Sequence, residues 1–309
     1  MTLSINKCLT NRVWNICIGD VLAGIKDTVW DKDPHTDAKH QILEEYLKAW
    51  FPILTRWNGK IIYIDGFAGP GVYSKGEDGS PIIAIKTAQN HSQSSTFNEI
   101  LFLFIEKDKE RVKNLQEVIA KKFPSLPHKF KCIIKGDEFA PTLEKFLDDV
   151  DSSGDRLSPT LAFIDPFGYS GMPMTLIARL LANSKTEVII TFMTGFIVRF
   201  TDEMRAEALD ELFGTNEWRK VNQIKEFEER EKFLIDLYTK QLREAAGATY
   251  VRTFEMRDSA NRPLYHLVFG TKNLKGMEVM KAAMFKVDRR GTYKFSDKTD
   301  RAILPHRLH

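Results

Sequence analysis

Three acidic side chains that close apolar runs, Asp65, Glu106 and Asp165, are the residues of this 309-residue chain best placed to do chemistry. Asp65 has the richest surroundings. Residues 60–71, Lys-Ile-Ile-Tyr-Ile-Asp-Gly-Phe-Ala-Gly-Pro-Gly, read as a strand that breaks into a turn carrying Gly66, Phe67, Gly69 and Gly71. Glycines there let main chain approach a ligand with no Cβ in the way, and the carboxylate can hold a polar or cationic group, as in a nucleotide-cradling loop. A plain tight connection has the same composition, so the turn alone leaves both readings open. Asp165 begins Asp-Pro166-Phe167-Gly168, which could also be a simple turn with the aspartate on backbone and the phenylalanine in the core. Upstream, Asp33-Pro34-His35-Thr36 opens a helix with Thr36 as cap. His35 and Lys39 share a face of it and could close over the loop or touch an anionic substrate. His40 lies off that face, so the trio is no ready metal site, and solvated helix ends are the ordinary alternative. No metal is expected. Arg199 could contact phosphate or pair with an acidic neighbour in the stretch that follows it.

The elements that must position these residues alternate. After a helix with Ile42, Leu43, Tyr46, Leu47, Trp50, Phe51 and Leu54 at helical spacing, the pattern predicts strands over 60–66, 100–105, 130–135, 160–165 and 187–193. Between them come helices near 81–91, 109–122, 140–149 and 173–182. Continuous apolar strands of this kind suit a parallel sheet covered on both faces. Residues 201–246 are helical and charged, longer than one crossover needs. Residues 250–256 and 264–269 then flank a turn with Asp258, Asn261 and Pro263 and read as an antiparallel hairpin. Trp50, Phe51 and Trp57 are expected in the core. The division is 1–58, an N-terminal appendage and helix packing on the core; 59–193, a cofactor-binding core; 194–248, a helical insertion; and 249–309, the hairpin and a basic region completing the core.

Composition narrows the setting. Cys8, Cys17 and Cys132 have no C-x-x-C spacing and fit reduced thiols in a cytoplasm. No run of about 18 apolar residues offers a membrane span, and the start lacks a basic segment followed by an apolar one, so a cytoplasmic protein with no membrane partner is expected. The net charge is +3, but residues 249–309 hold 13 basic against 6 acidic side chains. That surplus favours a nucleic acid, RNA or DNA, or is a solvated face.

Parallel strands followed by a terminal hairpin resemble the class I S-adenosylmethionine-dependent methyltransferase fold, a Rossmann-like, largely parallel seven-stranded sheet. The resemblance implies S-adenosyl-L-methionine as cofactor, held by Asp65, Gly66, Phe67, Gly69 and Gly71, with Glu106 taking the ribose hydroxyls. Asp137, in Gly136-Asp137-Glu138-Phe139, would lie near the adenine amino group or cap the next helix. Asp165, Pro166 and Phe167 match the place where amino-group methyltransferases hold the target NH2, and this Asp-Pro-Phe-Gly form resembles the tRNA guanine-N2-dimethyltransferases. The blocks Asp33-Pro-His-Thr-x-x-Lys39-His40-x-Ile-Leu, Ile64-Asp-Gly-Phe-Ala-Gly-Pro-Gly71, Gly79-Ser-Pro81, Phe104-Ile-Glu106, Ile164-Asp-Pro-Phe-Gly168 and Lys275-Gly-Met-Glu-x-Met-Lys281-x-x-Met-x-Lys286-Val-Asp288 together resemble the three-Cys-motif partner protein (TcmP) family. This implies an N-methyltransferase acting on a nucleic-acid base with a three-Cys-motif, iron–sulfur-type partner protein. The alternative is a non-catalytic scaffold of the same fold that binds nucleic acid or that partner.

Overall fold

The computed structural model describes residues 27–298; Cys8 and Cys17 and most of the expected N-terminal appendage lie outside them. The first helix, α1 (Pro34–Thr55), begins one turn earlier than Thr36 would allow as a cap. Asp33 is the N-cap and Pro34 the first helical residue, where a fixed φ and a missing N–H cost nothing. Then follow β1 (Lys60–Asp65), α2 (Ser80–Gln89), β2 (Glu99–Ile105), α3 (Lys109–Lys122), β3 (Phe130–Lys135), α4 (Phe139–Ser152), β4 (Thr160–Ile164), α5 (Met174–Ala182) and β5 (Thr186–Phe192). The charged stretch supplies α6 (Thr194–Ile197), α7 (Ala206–Phe213) and α8 (Phe227–Glu244), with 3-10 turns between them. The chain ends in the hairpin β6 (Tyr250–Arg257) and β7 (Pro263–Thr271), then α9 (Leu274–Val287) and β8 (Lys294–Ser296).

The eight strands among the described residues form one sheet in the order β3-β2-β1-β4-β5-β7-β6-β8. The first five are parallel, and β7 inserts antiparallel between β5 and β6. This is the Rossmann-like methyltransferase arrangement. It has one strand more than the seven expected, because three-residue β8 adds parallel to the edge of β6. So short a strand carries no alternation for a sequence to show.

Strand alternation sorts the core into two layers. Ile61 and Tyr63 of β1 point to a layer shared with α1, α2, α3 and α9, whereas Ile62 and Ile64 point to one shared with α4, α5, α7 and α8. Leu47, Trp50 and Phe51 of α1 are therefore core, and so are Trp218 and Tyr238 of the 194–248 stretch. Trp57 is not. The helix stops at Thr55, and the Trp57 ring is 77% exposed beneath the Arg56 guanidinium, 5.1 Å from its centroid.

Candidate functional site

The parallel strands β1, β2 and β4 deliver their carboxyl ends to one edge of the sheet, and that edge collects the expected residues. Asp65 and Phe163 are register partners across β1 and β4, so Asp165 follows two residues beyond the strand position beside Asp65. The turn after Asp65 is shaped by close approach. A Cβ on Gly66 would meet the Phe139 ring at 2.6 Å, and Gly69 and Gly71 have φ of +61° and +85°. Phe67 packs its ring 5.3 Å from that of Phe139.

Glu106 binds the loops together. Its Oε2 accepts from the Gly69 N–H at 2.9 Å and its Oε1 from the Asp108 N–H at 2.9 Å. Asp65 is fully buried, accepts one long bond of 3.4 Å from the Phe67 N–H, and has no hydrogen-bond partner for Oδ2 among the described residues. Burial pushes its carboxyl up to about 7. The charges of Asp165 and Glu106 add to the rise, and Ser80 and the Phe67 N–H oppose it.

Asp165 is held from below. Lys39, 5% exposed, donates from Nζ to Asp165 Oδ2, with the Tyr265 ring centroid 5.3 Å from the same nitrogen. Pro166 is buried and Phe167 is 50% exposed. Trp30 stands edge-on to Phe167 at 5.5 Å and to Tyr73 at 5.9 Å, and the Arg111 guanidinium lies 5.0 Å from Trp30 and 5.7 Å from Phe167. Trp30 also faces the open side of Gly69. Its backbone is tied to the loop, since the Ser74 N–H donates to the Trp30 carbonyl at 2.9 Å. An indole, a phenyl ring and a guanidinium thus border the space beside Asp165.

The helix-start residues are not solvated ends. His35 places Nδ1 3.0 Å from Asp297 Oδ2 and braces α1 against the end of β8. His40 is buried, and burial beside Lys32 and Lys39 holds its imidazole well below its ordinary pKa. Asp137 is exposed and accepts from the N–H of Glu138, which is itself the N-cap of α4. Arg199 is also exposed. Its electrostatic neighbours include Arg262 and Asp258 of the β6–β7 turn. Trp30, Tyr73, Arg111 and Tyr265 belong to the site and had no local signal in the sequence.

Among the described residues, one group elsewhere has the makings of a metal set: Glu231 of α8, Glu255 of β6 and His266 of β7. Its charge is already balanced, because Glu255 pairs with Arg257 and with Lys294, the latter at 2.9 Å. His266 Nδ1 is 3.0 Å from Thr194 Oγ1, and burial lifts Glu231 to about 7 and lowers His266 to about 4. Cys132 is free, and burial raises its thiol to about 12, which makes it unreactive. No helix among the described residues is long and apolar enough to cross a membrane.

No protein-family model matches the chain, and no curated protein matches it. Solved structures do. The chain is similar to Trm1 from Pyrococcus horikoshii in complex with S-adenosyl-L-methionine, at 13% identity and a TM-score of 0.43, over 83% of this chain and 60% of that one. It is similar at the same identity and TM-score to protein LPL1258 from Legionella pneumophila, over 80% of this chain and 90% of that one. For S-adenosylhomocysteine-bound PaMTH1 from Podospora anserina the identity is 12% and the TM-score 0.31, over 88% of this chain and 99% of that one. The chain thus spans less than two-thirds of the Trm1 structure. At these similarities the likenesses carry no argument about residue roles or reaction; the fold rests on the strand order itself.

Proposed function

We propose that the chain is an S-adenosylmethionine-dependent N-methyltransferase acting on the amino group of a nucleic-acid base, together with a three-Cys-motif partner protein. The observation that carries this reading is the adjacency of two carboxylates at the ends of neighbouring strands: Asp65, buried with an oxygen that lacks a partner, and Asp165, partly exposed beside aromatic rings. The first suits a cofactor, because a bound ammonium would satisfy the orphaned oxygen, and the glycine turn leaves main chain open. The bound cofactor would supply a methyl group on a sulfonium. Transfer of that methyl to the amine lone pair would leave the S–C bonding pair on sulfur, and the surplus N–H proton would pass to solvent. The protein then has mainly to bind, orient and exclude water. Asp165 Oδ1 would accept an N–H of the amine, and Phe167 and Trp30 would border the base.

The test is transfer of labelled methyl from S-adenosylmethionine to total cellular RNA and DNA, with and without the three-Cys protein. Asp165→Ala should keep cofactor affinity and lose transfer by about a hundredfold or more. The scaffold reading has one observation in its favour, the Lys39 ammonium already on Asp165. A wild-type protein that binds cofactor yet labels neither polymer under either condition would replace the enzyme by the scaffold.

A further inference from the structure

We infer that Lys39 is a positioning residue for the methyl acceptor: it pins one oxygen of Asp165 from the protein side and so presents the other to an incoming amine. The inference rests on the acceptor role proposed above for Asp165. Three observations support it. Lys39 is 5% exposed and reaches Asp165 from α1, 126 residues away in sequence, so the ion pair is made inside the protein rather than from solvent. Only Oδ2 is engaged; Oδ1 accepts no hydrogen bond from the described residues, while the Asp165 side chain keeps 23% exposure. In the turn itself Pro166 is buried, and the side chains that reach solvent are Asp165 and Phe167.

The alternative is that the ammonium sits where the target amine belongs and blocks the site. Burial argues against it. A blocking group must be displaced to let substrate in, whereas Lys39 is enclosed by Tyr265 and the body of α1 and leaves the solvent-facing oxygen free. An aspartate on a strand-terminal turn has rotamer freedom that an ammonium in fixed geometry removes. A carboxylate held in this way can accept an N–H of the amine at its remaining oxygen. Other ionisable groups facing this pair are Tyr63 and Asp65 from β1, Tyr73 from the glycine loop, Tyr265 from β7, and His40 and Lys32 on the α1 side. Asp65 opposes a second negative charge here, whereas burial keeps the three tyrosines protonated and neutral, so Lys39 is the cation in contact that offsets Asp65.

The experiment compares the full-length wild type with Lys39→Met and Lys39→Arg. S-adenosylhomocysteine affinity is read by calorimetry, and the kcat and KM of methyl transfer to total RNA and DNA are read with and without the three-Cys partner. Lys39→Met is expected to leave S-adenosylhomocysteine binding within about twofold. It should cut transfer by about tenfold or more, as a loss in kcat with KM little changed, the pattern of lost positioning. Lys39→Arg should recover most of the transfer, since a guanidinium can hold the same oxygen and retains the charge. Transfer in Lys39→Met equal to wild type, or a loss confined to KM, overturns the positioning role alone. Faster transfer in Lys39→Met overturns it in favour of a block. A wild type that binds S-adenosylhomocysteine but transfers to neither polymer overturns the acceptor reading of Asp165, and this inference with it. Melting curves of both variants report folding independently.

Discussion

Asp65 keeps a carboxylate oxygen without a partner in a fully buried position, and this sets the sign of a pH effect. Its pKa is raised to about 7 from 3.8, so the protonated form is the one the fold stabilises. That contribution is fully present below about pH 4 and is lost as pH rises through about 7. Asp65→Asn, neutral throughout, should therefore be more stable than wild type at pH 8 by about 1–3 kcal/mol, with the gap closing toward pH 4. Urea denaturation at both pH values measures it, and a pH-independent difference would count against the burial argument. The same substitution should weaken S-adenosylmethionine, because a cationic group then meets an amide instead of a carboxylate. In the wild type, cofactor binding near pH 6 should release a proton, detectable by calorimetry in buffers of different ionisation enthalpy. Asp65, Glu106 and Asp165 were legible in the sequence because each closes an apolar run and so must emerge at one edge of a parallel sheet. The partner of Lys39 was not, nor was the ring of Trp30, Tyr73, Phe167 and Arg111. Those meetings are made by packing of distant segments, and no spacing within the chain encodes them.

At the level of elements, the strands of the parallel half and the helices between them were legible because continuous apolar runs bounded by polar turns leave few other solutions. Helix α9 was not marked out, although Met277, Met280, Ala283, Met284 and Val287 recur at helical spacing. Gly276 in its first turn weakens a propensity-based reading. The structure supplies the reason for that glycine. A Cβ there would fall well inside contact distance of Glu187 Oε1. Glu187 has little room to retreat, since Tyr46 donates to its Oε2 at 2.6 Å and Thr271 to its Oε1 at 2.8 Å in a buried site. Glycine to alanine in a helix ordinarily gains roughly 0.5–1 kcal/mol. Gly276→Ala should instead lose about 1–3 kcal/mol through overpacking against the carboxylate. In a Glu187→Ala background the sign should revert, because the obstacle is gone. Thermal or denaturant melts of the four proteins close the cycle, and additive effects would show that the two residues do not collide.

For the whole molecule, the question is what the fold does with the basic surplus of residues 249–309. Much of it is neutralised internally. Lys275 pairs with Glu278, Lys286 with Glu45 on α1, Lys294 and Arg257 with Glu255, and Arg262 with Asp258. Lys272, Lys281 and Arg289 make no ion pair among the described residues, and Lys281 and Arg289 are exposed on α9 and just beyond it. The sequence showed the sign of the region but not this division, which depends on carboxylates carried by α1 and by the hairpin. A nucleic-acid contact should therefore run through these three cations, with Arg252 and Lys298, which likewise make no ion pair among the described residues. Each phosphate they neutralise releases counterions, so affinity should fall steeply between about 50 and 200 mM salt. Replacing Lys272, Lys281 and Arg289 together by glutamine should reduce the slope of log affinity against log salt by about 2–3. Replacing Lys275 and Lys286, whose charges are already paired, should change it by well under about 1. Fluorescence anisotropy with a random-sequence RNA and a DNA duplex of equal length reads both slopes. If the triple variant keeps the wild-type slope, the surplus is a solvated face, and a nucleic-acid substrate must be held by the rim around Asp165 or by the partner protein instead.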